Sequence, residues 1–293
     1  LIARQILTKK FSWPDWSLSD SEMQALKEEI LRYQQNDGGI AILPYSESEL
    51  EVSALAASCG REYFDQTALK AYFNSVLNSE EADLKERSLA LWGSAALGVP
   101  VLSEVNALLT ESENREGPLA GEIQLNLLLA KTFAGDGART KNAAEIFVDQ
   151  WTESLETARR AVIGETGEDV LKATARLAML SQMLNLPEAK GLYQYVFDQQ
   201  GVTDYYLLEQ LVVLQARLKQ ETVPAGFTYS LSGKKETVDL LKTPVYILTL
   251  TPEQLAEISF EDVKGEISVL SAYRVKGLPA GESLQAGLKI ARS

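Results

Sequence analysis

Apolar residues recur every three or four positions along most of the chain, which is the spacing of one face of an α-helix. One such stripe holds Met23, Leu26 and Ile30, and it begins where Ser19 and Glu22 have the spacing of a capping box. Glycine and proline interrupt these stripes at short intervals. The pattern predicts ten helices with short connections, at residues 19–33, 48–60, 65–77, 81–97, 101–109, 118–133, 140–151, 168–184, 188–197 and 203–219.

Some of these helices are apolar around most of their circumference, as in the run from Ile123 to Ala130. A helix of this kind is usually buried on all sides. Short connections between helices favour antiparallel hairpins. Hairpins in series around an inner apolar layer predict a mainly α fold, either a solenoid or a closed α/α toroid. The sequence has no strict repeat period, which argues against a regular TPR or HEAT array.

The pattern changes at Thr222, where strand-like alternation begins. Residues 227–231 and 237–240 flank the turn Ser232-Gly233-Lys234 and predict a β-hairpin. Further strands are expected at 245–250 and 265–273, with a single capped turn at 251–255 between them. About four strands would then form a small β module that could share a sheet with chain outside this sequence. In the helical part, residues 155–163 fit either a short strand pair or a loop.

These patterns predict four segments. Residues 1–18 form an N-terminal arm whose Trp13 and Trp16 are expected to pack their rings on the domain. Residues 19–220 form the helical part, a solenoid or an α/α toroid, residues 221–278 form the β module and residues 279–293 a loosely held tail. The sequence begins at Leu1 and has no signal peptide, so we expect it to be part of a larger multidomain polypeptide.

The composition and net charge limit the classes of molecule that the chain is expected to bind. The chain has 293 residues, is 45% hydrophobic and has a net charge of -13. A nucleic-acid partner is not expected, because binding to phosphate needs a cationic surface. The same charge disfavours an anionic membrane surface. The longest apolar runs are also too short to insert into a bilayer. A protein partner is the remaining expectation.

The chain offers little for catalysis. It contains no histidine and one cysteine, which excludes Ser-His-Asp and Cys-His sites and thiolate-rich zinc sites within it. The glycine turns at 37–39 and 135–137 lack the preceding strand and the following Lys-Ser/Thr of a phosphate-binding loop. We therefore predict no catalytic, cofactor-binding or metal-binding residue, and no cofactor.

Acidic pairs leave one enzymatic alternative open. Two carboxylates could act as acid and base in an (α/α)-barrel glycosidase. Carboxylates are also favoured at the exposed starts of helices, which accounts for the same residues without chemistry. The candidates are Glu47, Glu49, Glu80, Glu81, Glu165, Glu168 and Asp169.

Cys59 has a separate possible role. An intrachain thioester joins a cysteine to a glutamine three residues later, but position 62 is Glu62. A lone cysteine after an alanine-rich helix is most often a small buried apolar residue. One cysteine is compatible with a reducing cytosol and with a bacterial exterior, so cysteine usage does not decide the compartment.

Several motifs occur in a fixed order. A helix ends in Gln35-Asn36-Asp37-Gly38-Gly39, and Pro44-Tyr45 leads into a small-residue helix at 50–57. Alternating Leu/Ala helices follow. After them come, in chain order, Trp151, Thr166-Gly167-Glu168-Asp169, a Thr/Ala-rich helix at 173–178 and Asn185-Leu186-Pro187, and the chain then enters the β module. Over residues 20–275 this order resembles the thioester-domain region of α2-macroglobulin and complement-like proteins, especially the bacterial relatives.

The resemblance implies an α/α toroid, the layout shared with terpenoid cyclases, in a large secreted or periplasmic protein that entraps proteases. In that family a Cys-Gly-Glu-Gln motif precedes the Asp-Gly-Gly turn, whereas here no cysteine precedes Asp37. The resemblance therefore implies a thioester-lacking relative.

From this we expect a non-enzymatic protein-interaction module at the bacterial cell surface, in the periplasm or outside the cell. Its partner could be a protease that it traps without covalent capture. The alternatives are an (α/α)-barrel enzyme acting on carbohydrate and a cell-envelope scaffold. For the enzyme, Glu165 or Asp169 in the toroid mouth would supply the chemistry, although aromatic residues for stacking sugars are only 8% of the chain.

Overall fold

The computed structural model describes residues 3–5, 8, 18–113, 117–199, 207–219, 224–243, 245–265, 267, 269 and 271. Within them the protein is mainly helical with a small antiparallel sheet, as the pattern predicts. The chain divides into two compact units, Leu1–Thr222 and Val223–Ser293. The expected N-terminal arm with Trp13 and Trp16, and the tail at 279–293, lie outside the described residues.

The described part of the first unit contains ten α-helices of ordinary length and one short hairpin. The hairpin is formed by β1 (Thr152–Leu155) and β2 (Ala158–Ala161). The helices are α1 (Asp20–Leu31), α2 (Leu50–Gly60), α3 (Gln66–Leu77), α4 (Leu84–Ala96), α5 (Leu102–Glu113), α6 (Pro118–Phe133), α7 (Gly137–Trp151), α8 (Gly167–Met183), α9 (Ala189–Asp198) and α10 (Leu207–Lys219).

Local signals place the helix starts. Ser19 and Glu22 form the predicted capping box at α1, and Asp83 with Glu86 does the same at α4. In each box the first side chain accepts from a backbone amide of the first turn, and the glutamate accepts from the cap amide. Pro118 begins α6, where its missing amide hydrogen costs no helical hydrogen bond. The predicted helix boundaries therefore lie within a few residues of the observed ones.

Five helices contact one another in a closed order, which we call the helix cycle. Helix α2 contacts α4, α4 contacts α6, α6 contacts α8, α8 contacts α10, and α10 returns to α2. The intervening helices α3, α5, α7 and α9 contact members of this cycle from outside it. Consecutive helices thus alternate between the cycle and its periphery.

Burial distinguishes the two sets of helices. In α4 every residue from Ser88 to Ala96 is buried, whereas α3 buries only Leu69 and Phe73. The predicted run from Ile123 to Ala130 in α6 is also buried, apart from the partly exposed Gln124. The cycle helices α4 and α6 are therefore buried on most sides, whereas α3 is amphipathic and buries one face.

The hairpin β1–β2 decides the alternative left open for residues 155–163. Thr152 pairs with Ala161, and Leu155 pairs with Ala158 across a tight turn. The amide of Ala161 donates to the Thr174 hydroxyl of α8 at 3.0 Å, which attaches the hairpin to the cycle.

The second unit contains a three-stranded sheet in the order β4–β3–β5, made by β3 (Gly226–Leu231), β4 (Lys234–Asp239) and β5 (Ser259–Lys264). The hairpin β3–β4 confirms the prediction for residues 227–240. The predicted turn at 251–255 is α11 (Pro252–Glu257), which is capped by Thr251 and Gln254.

The other two strand predictions in this unit have different outcomes. The strand at 245–250 is wrong: these residues form no ladder in the described part of the chain, where the sheet consists of β4, β3 and β5. Instead Tyr246 packs against Phe227 and donates to Glu236. The strand expected at 265–273 falls largely outside the described residues. Strand β5 lies just before it and ends at Lys264, and the next residue, Gly265, has a positive φ of 74°. The described part of the unit therefore has three strands rather than four.

The Asp37-Gly38-Gly39 turn is a structural joint. Asp37 Oδ1 accepts from the Gly39 amide at 3.0 Å and from the Ser48 hydroxyl at 2.6 Å. The Gln34 amide group bonds both backbone groups of Asp65, the N-cap of α3. The turn therefore joins the end of α1 to the starts of α2 and α3.

None of the helices within the described residues has the length and apolarity needed to span a bilayer.

Gly38 is the residue of this turn at which a side chain is not tolerated. It has a φ of 92°, and a Cβ there would lie 2.2 Å from the backbone oxygen of Ala68. We expect Gly38→Ala to lower the free energy of unfolding by at least ~3 kcal/mol in urea titrations followed by tryptophan fluorescence, because strain and a backbone clash add.

Gly135 supplies the matched control, since its φ is 88° and no atom lies within 4 Å of the position that a Cβ would occupy. Gly135→Ala should cost only ~1–2 kcal/mol, the cost of the left-handed conformation. Equal losses for the two variants would contradict the structural role assigned to the turn.

Candidate functional site

Polar side chains from four helices of the cycle meet around one buried cation, Arg176 of α8. Its side chain is 1% exposed. The guanidinium pairs with Glu51 of α2, and its Nη1 lies 3.5 Å from Glu122 Oε1 of α6. A buried charge is tolerated in a folded protein only when it is paired, and here two carboxylates from different helices supply the pairing.

Further groups complete the cluster. Asn126 accepts from Arg176 Nη1 at 3.5 Å and donates to the Ser88 hydroxyl at 3.1 Å. The guanidinium also lies over the ring of Trp92, 5.7 Å from its centroid, within cation–π range. Two lysines, Lys85 and Lys172, pair with the two carboxylates. We call the whole set the Arg176 network: Glu51, Lys85, Ser88, Trp92, Glu122, Asn126, Lys172 and Arg176.

Two lysines pair the outer sides of the carboxylates. Lys172 Nζ lies 3.3 Å from Glu51 Oε1, and Lys85 Nζ lies 2.9 Å from Glu122 Oε2. Burial by itself would raise the pKa of Glu51, but attraction to Arg176 and Lys172 outweighs burial and holds that pKa below its usual value. Glu51 is therefore ionised at neutral pH, and the network is an ionic one.

This arrangement links four helices through charged and polar side chains. Among the described residues, no group of three or more Cys, Asp or Glu side chains has the arrangement to hold a metal ion. The network can fix the relative positions of α2, α4, α6 and α8, because each contributes at least one of its members.

Cys59 lies at the other end of α2 and contacts the helix that closes the cycle. The residue is 3% exposed, and its carbonyl accepts from the Gln215 side chain of α10 at 2.9 Å. Burial, with the nearby carboxylates Glu209 and Glu62, raises the pKa of the Cys59 thiol to about 12. A thiol of this kind stays protonated at neutral pH and is a poor nucleophile.

The acidic candidates lie on the surface. Asp169 accepts from Thr166 in the capping box of α8, which lowers its pKa, and Glu49 is the N-cap of α2. The other five, Glu47, Glu80, Glu81, Glu165 and Glu168, are exposed or partly exposed. A cavity of about 420 Å³ in the described part of the chain has a lining without carboxylates: Gly98, Val99, Pro100, Leu102, Ser103, Phe133 and Ala134.

Sequence reasoning missed the Arg176 network. The signal was a charged or polar residue within an apolar stretch, as for Arg176 among the alanines and leucines of α8 and Asn126 inside the run of α6. Such residues are seldom fully buried unless they are paired. Their partners lie tens of residues away, 38 for Asn126 with Ser88 and 50 for Arg176 with Asn126, and no local pattern identifies them.

No family model matches the chain, and no curated protein matches it. Similar solved structures include a fragment of native alpha-2-macroglobulin from Escherichia coli, with a TM-score of 0.46, 13% identity, and coverage of 81% of this chain and 45% of that one. Salmonella alpha-2-macroglobulin reacted with methylamine has a TM-score of 0.48, 15% identity, and coverage of 81% and 17%.

Trypsin-activated alpha-2-macroglobulin from Escherichia coli has a TM-score of 0.42, 15% identity, and coverage of 76% of this chain and 17% of that one. The chain thus spans less than half the length of each of these three proteins. With TM-scores below 0.5, these likenesses carry no argument about function.

The Arg176 network makes a prediction about stability. Arg176→Met should lower the free energy of unfolding by ~3–5 kcal/mol, because Glu51 and Glu122 would lose their shared buried partner. The matched control is Arg160→Met, which removes a surface ion pair with Glu153 whose side chains are 41% and 44% exposed. It should cost much less than Arg176→Met, because exposed ion pairs are screened by solvent. Similar losses for both variants in urea titrations would show that the network is not holding the helices.

Proposed function

We propose that this chain is a non-enzymatic protein-interaction module of a macroglobulin-like protein, built on an α/α toroid that lacks a thioester. The observation that carries the proposal is the helix cycle, because a closed order of five helix contacts is what the toroid implied by the sequence resemblance requires. The order of motifs from Gln35 to Pro187 supplies the link to that family.

The interior of the cycle supports a scaffolding role. Trp92, Asn126 and Arg176 come from three different helices, and each is at most 1% exposed. A barrel enzyme needs an open cleft where two carboxylates meet the substrate. The space between these helices is filled by packed side chains, which favours binding through an outer surface over catalysis at the centre.

Cys59 supports the non-covalent form of the proposal. Thioester formation needs a reactive thiolate and a carboxamide three residues later. Here the thiol is buried with a raised pKa, and Glu62 stands at the partner position. The module would therefore hold its partner without a covalent bond. The partner we propose is a protease trapped by the larger polypeptide, outside the bacterial cell, at its surface or in the periplasm.

The test uses the natural polypeptide that carries this sequence, incubated with a broad-specificity protease. We expect hydrolysis of a small peptide substrate to continue while hydrolysis of a large protein substrate is lost, because a caged protease admits only small substrates. The protease should run free of covalent adducts on a denaturing gel.

The control is the same polypeptide unfolded by heat before mixing, which should leave both activities unchanged. Loss of neither activity with the folded protein would overturn protease trapping. Trapping together with a covalent adduct would overturn the thioester-lacking form of the proposal while leaving the macroglobulin-like role intact.

A further inference from the structure

Helix α10 closes the helix cycle, and its first turn buries a carboxylate. Glu209 is 3% exposed, although α10 is otherwise inserted through apolar residues such as Val212 and Val213. The cavity next to it measures about 10 Å³ and has room for one water at most. The lining of this cavity comes from α8, α9 and α10, so the carboxylate is packed among these helices almost without solvent.

The ionised form of Glu209 has no good partner there. Its Oε2 is buried and makes no hydrogen bond within the described part of the chain. The nearest cations are already engaged, since Arg176 pairs with Glu51 and Glu122, and Lys172 pairs with Glu51. A buried carboxylate without a partner is strongly disfavoured as an anion and is tolerated as a neutral acid.

The titratable groups facing Glu209 come from three packed helices, namely Lys172 and Arg176 of α8, Glu51 and Cys59 of α2, and Tyr193 of α9. Burial raises the pKa of Glu209 to about 7, Arg176 opposes this increase, and the like charge of Glu51 adds to it. Burial therefore outweighs the attraction to Arg176 and Lys172, and the protonated form of Glu209 is favoured.

We propose that Glu209 is a proton-sensitive latch, which keeps α10 in the helix cycle when it is protonated and loosens that contact when it is ionised. In the unfolded or opened state the carboxyl group has its ordinary pKa of 4.5, and in the closed state its pKa is about 7. The closed state therefore binds more protons between these two values. Its stability is greatest below pH ~4.5, falls as the pH rises to about 7, and is constant above that.

Cys59 provides a reporter for this opening. It is the only cysteine of the chain, it is buried on α2, and its carbonyl is bonded by Gln215 of α10. When α10 leaves α2, the thiol becomes accessible to a small disulfide reagent such as 4,4′-dithiodipyridine. The rate of labelling then measures the population of the opened state.

The experiment compares the wild-type chain with Glu209→Gln, which has the same shape and cannot ionise. The labelling rate of Cys59 is measured for both from about pH 4 to about pH 8.5, and the ratio of the rates removes the intrinsic pH dependence of the thiol. We expect a ratio near one at the acidic end. At the alkaline end the wild type should be labelled faster by on the order of 300-fold, the equilibrium effect of the difference between the pKa values of 4.5 and about 7.

Glu145→Gln is the matched control, because Glu145 is an exposed carboxylate of α7. Its ratio to wild type should stay near one at every pH. A ratio for Glu209→Gln that does not change with pH would overturn the latch. If Glu209→Gln fails to fold, Glu209→Leu takes its place. If neither folds, the wild-type rate divided by that of the urea-unfolded chain decides: a rise toward alkaline pH supports the latch, and a constant ratio overturns it.

Discussion

The pairing of Arg176 is the constraint on which the helical unit depends. A guanidinium that is 1% exposed must find its counter-charges inside the protein, and both of them come from other helices, Glu51 of α2 and Glu122 of α6. Helix α8 can therefore occupy only positions that satisfy both carboxylates. Apolar packing is tolerant of small rotations and shifts, whereas an ion pair of this kind is not. We infer that the network sets the register of the cycle and that apolar burial provides most of its stability.

The sequence predicted the elements better than their arrangement. Helix starts such as Ser19 with Glu22 depend on residues within one turn, so a local pattern identifies them. The order of the strands depends on long-range pairing that no local pattern identifies, and residues 245–250 have strand-like side chains but pair with no strand in the described part of the chain. The Arg176 network was beyond local reasoning for the same cause, since Lys172 and Glu51 are 121 residues apart.

Two features of this fold bear on function together. The one cysteine lies buried where α2 meets α10. Glu209 of α10 lies close to the same contact. It is a buried carboxylate whose Oε2 makes no hydrogen bond within the described residues. In a thioester protein the corresponding chemistry would need an accessible, activated thiol. Here the thiol is packed away, and the proposed role as a binding scaffold uses the rigidity of the cycle. The proposed latch would make this rigidity depend on pH, at the contact where the cycle closes.

The central claim is that the five helices form one cooperative unit because their contacts close on themselves. Native-state hydrogen exchange at about pH 5.5 in low urea tests it most directly, since it gives an opening free energy for each protected amide. We predict that the most protected amides of α2, α4, α6 and α8 share one opening free energy, equal to that of global unfolding. A graded series, in which α2, α4, α6 and α8 open one after another at increasing cost, is the behaviour of an open stack of repeats and would contradict the account.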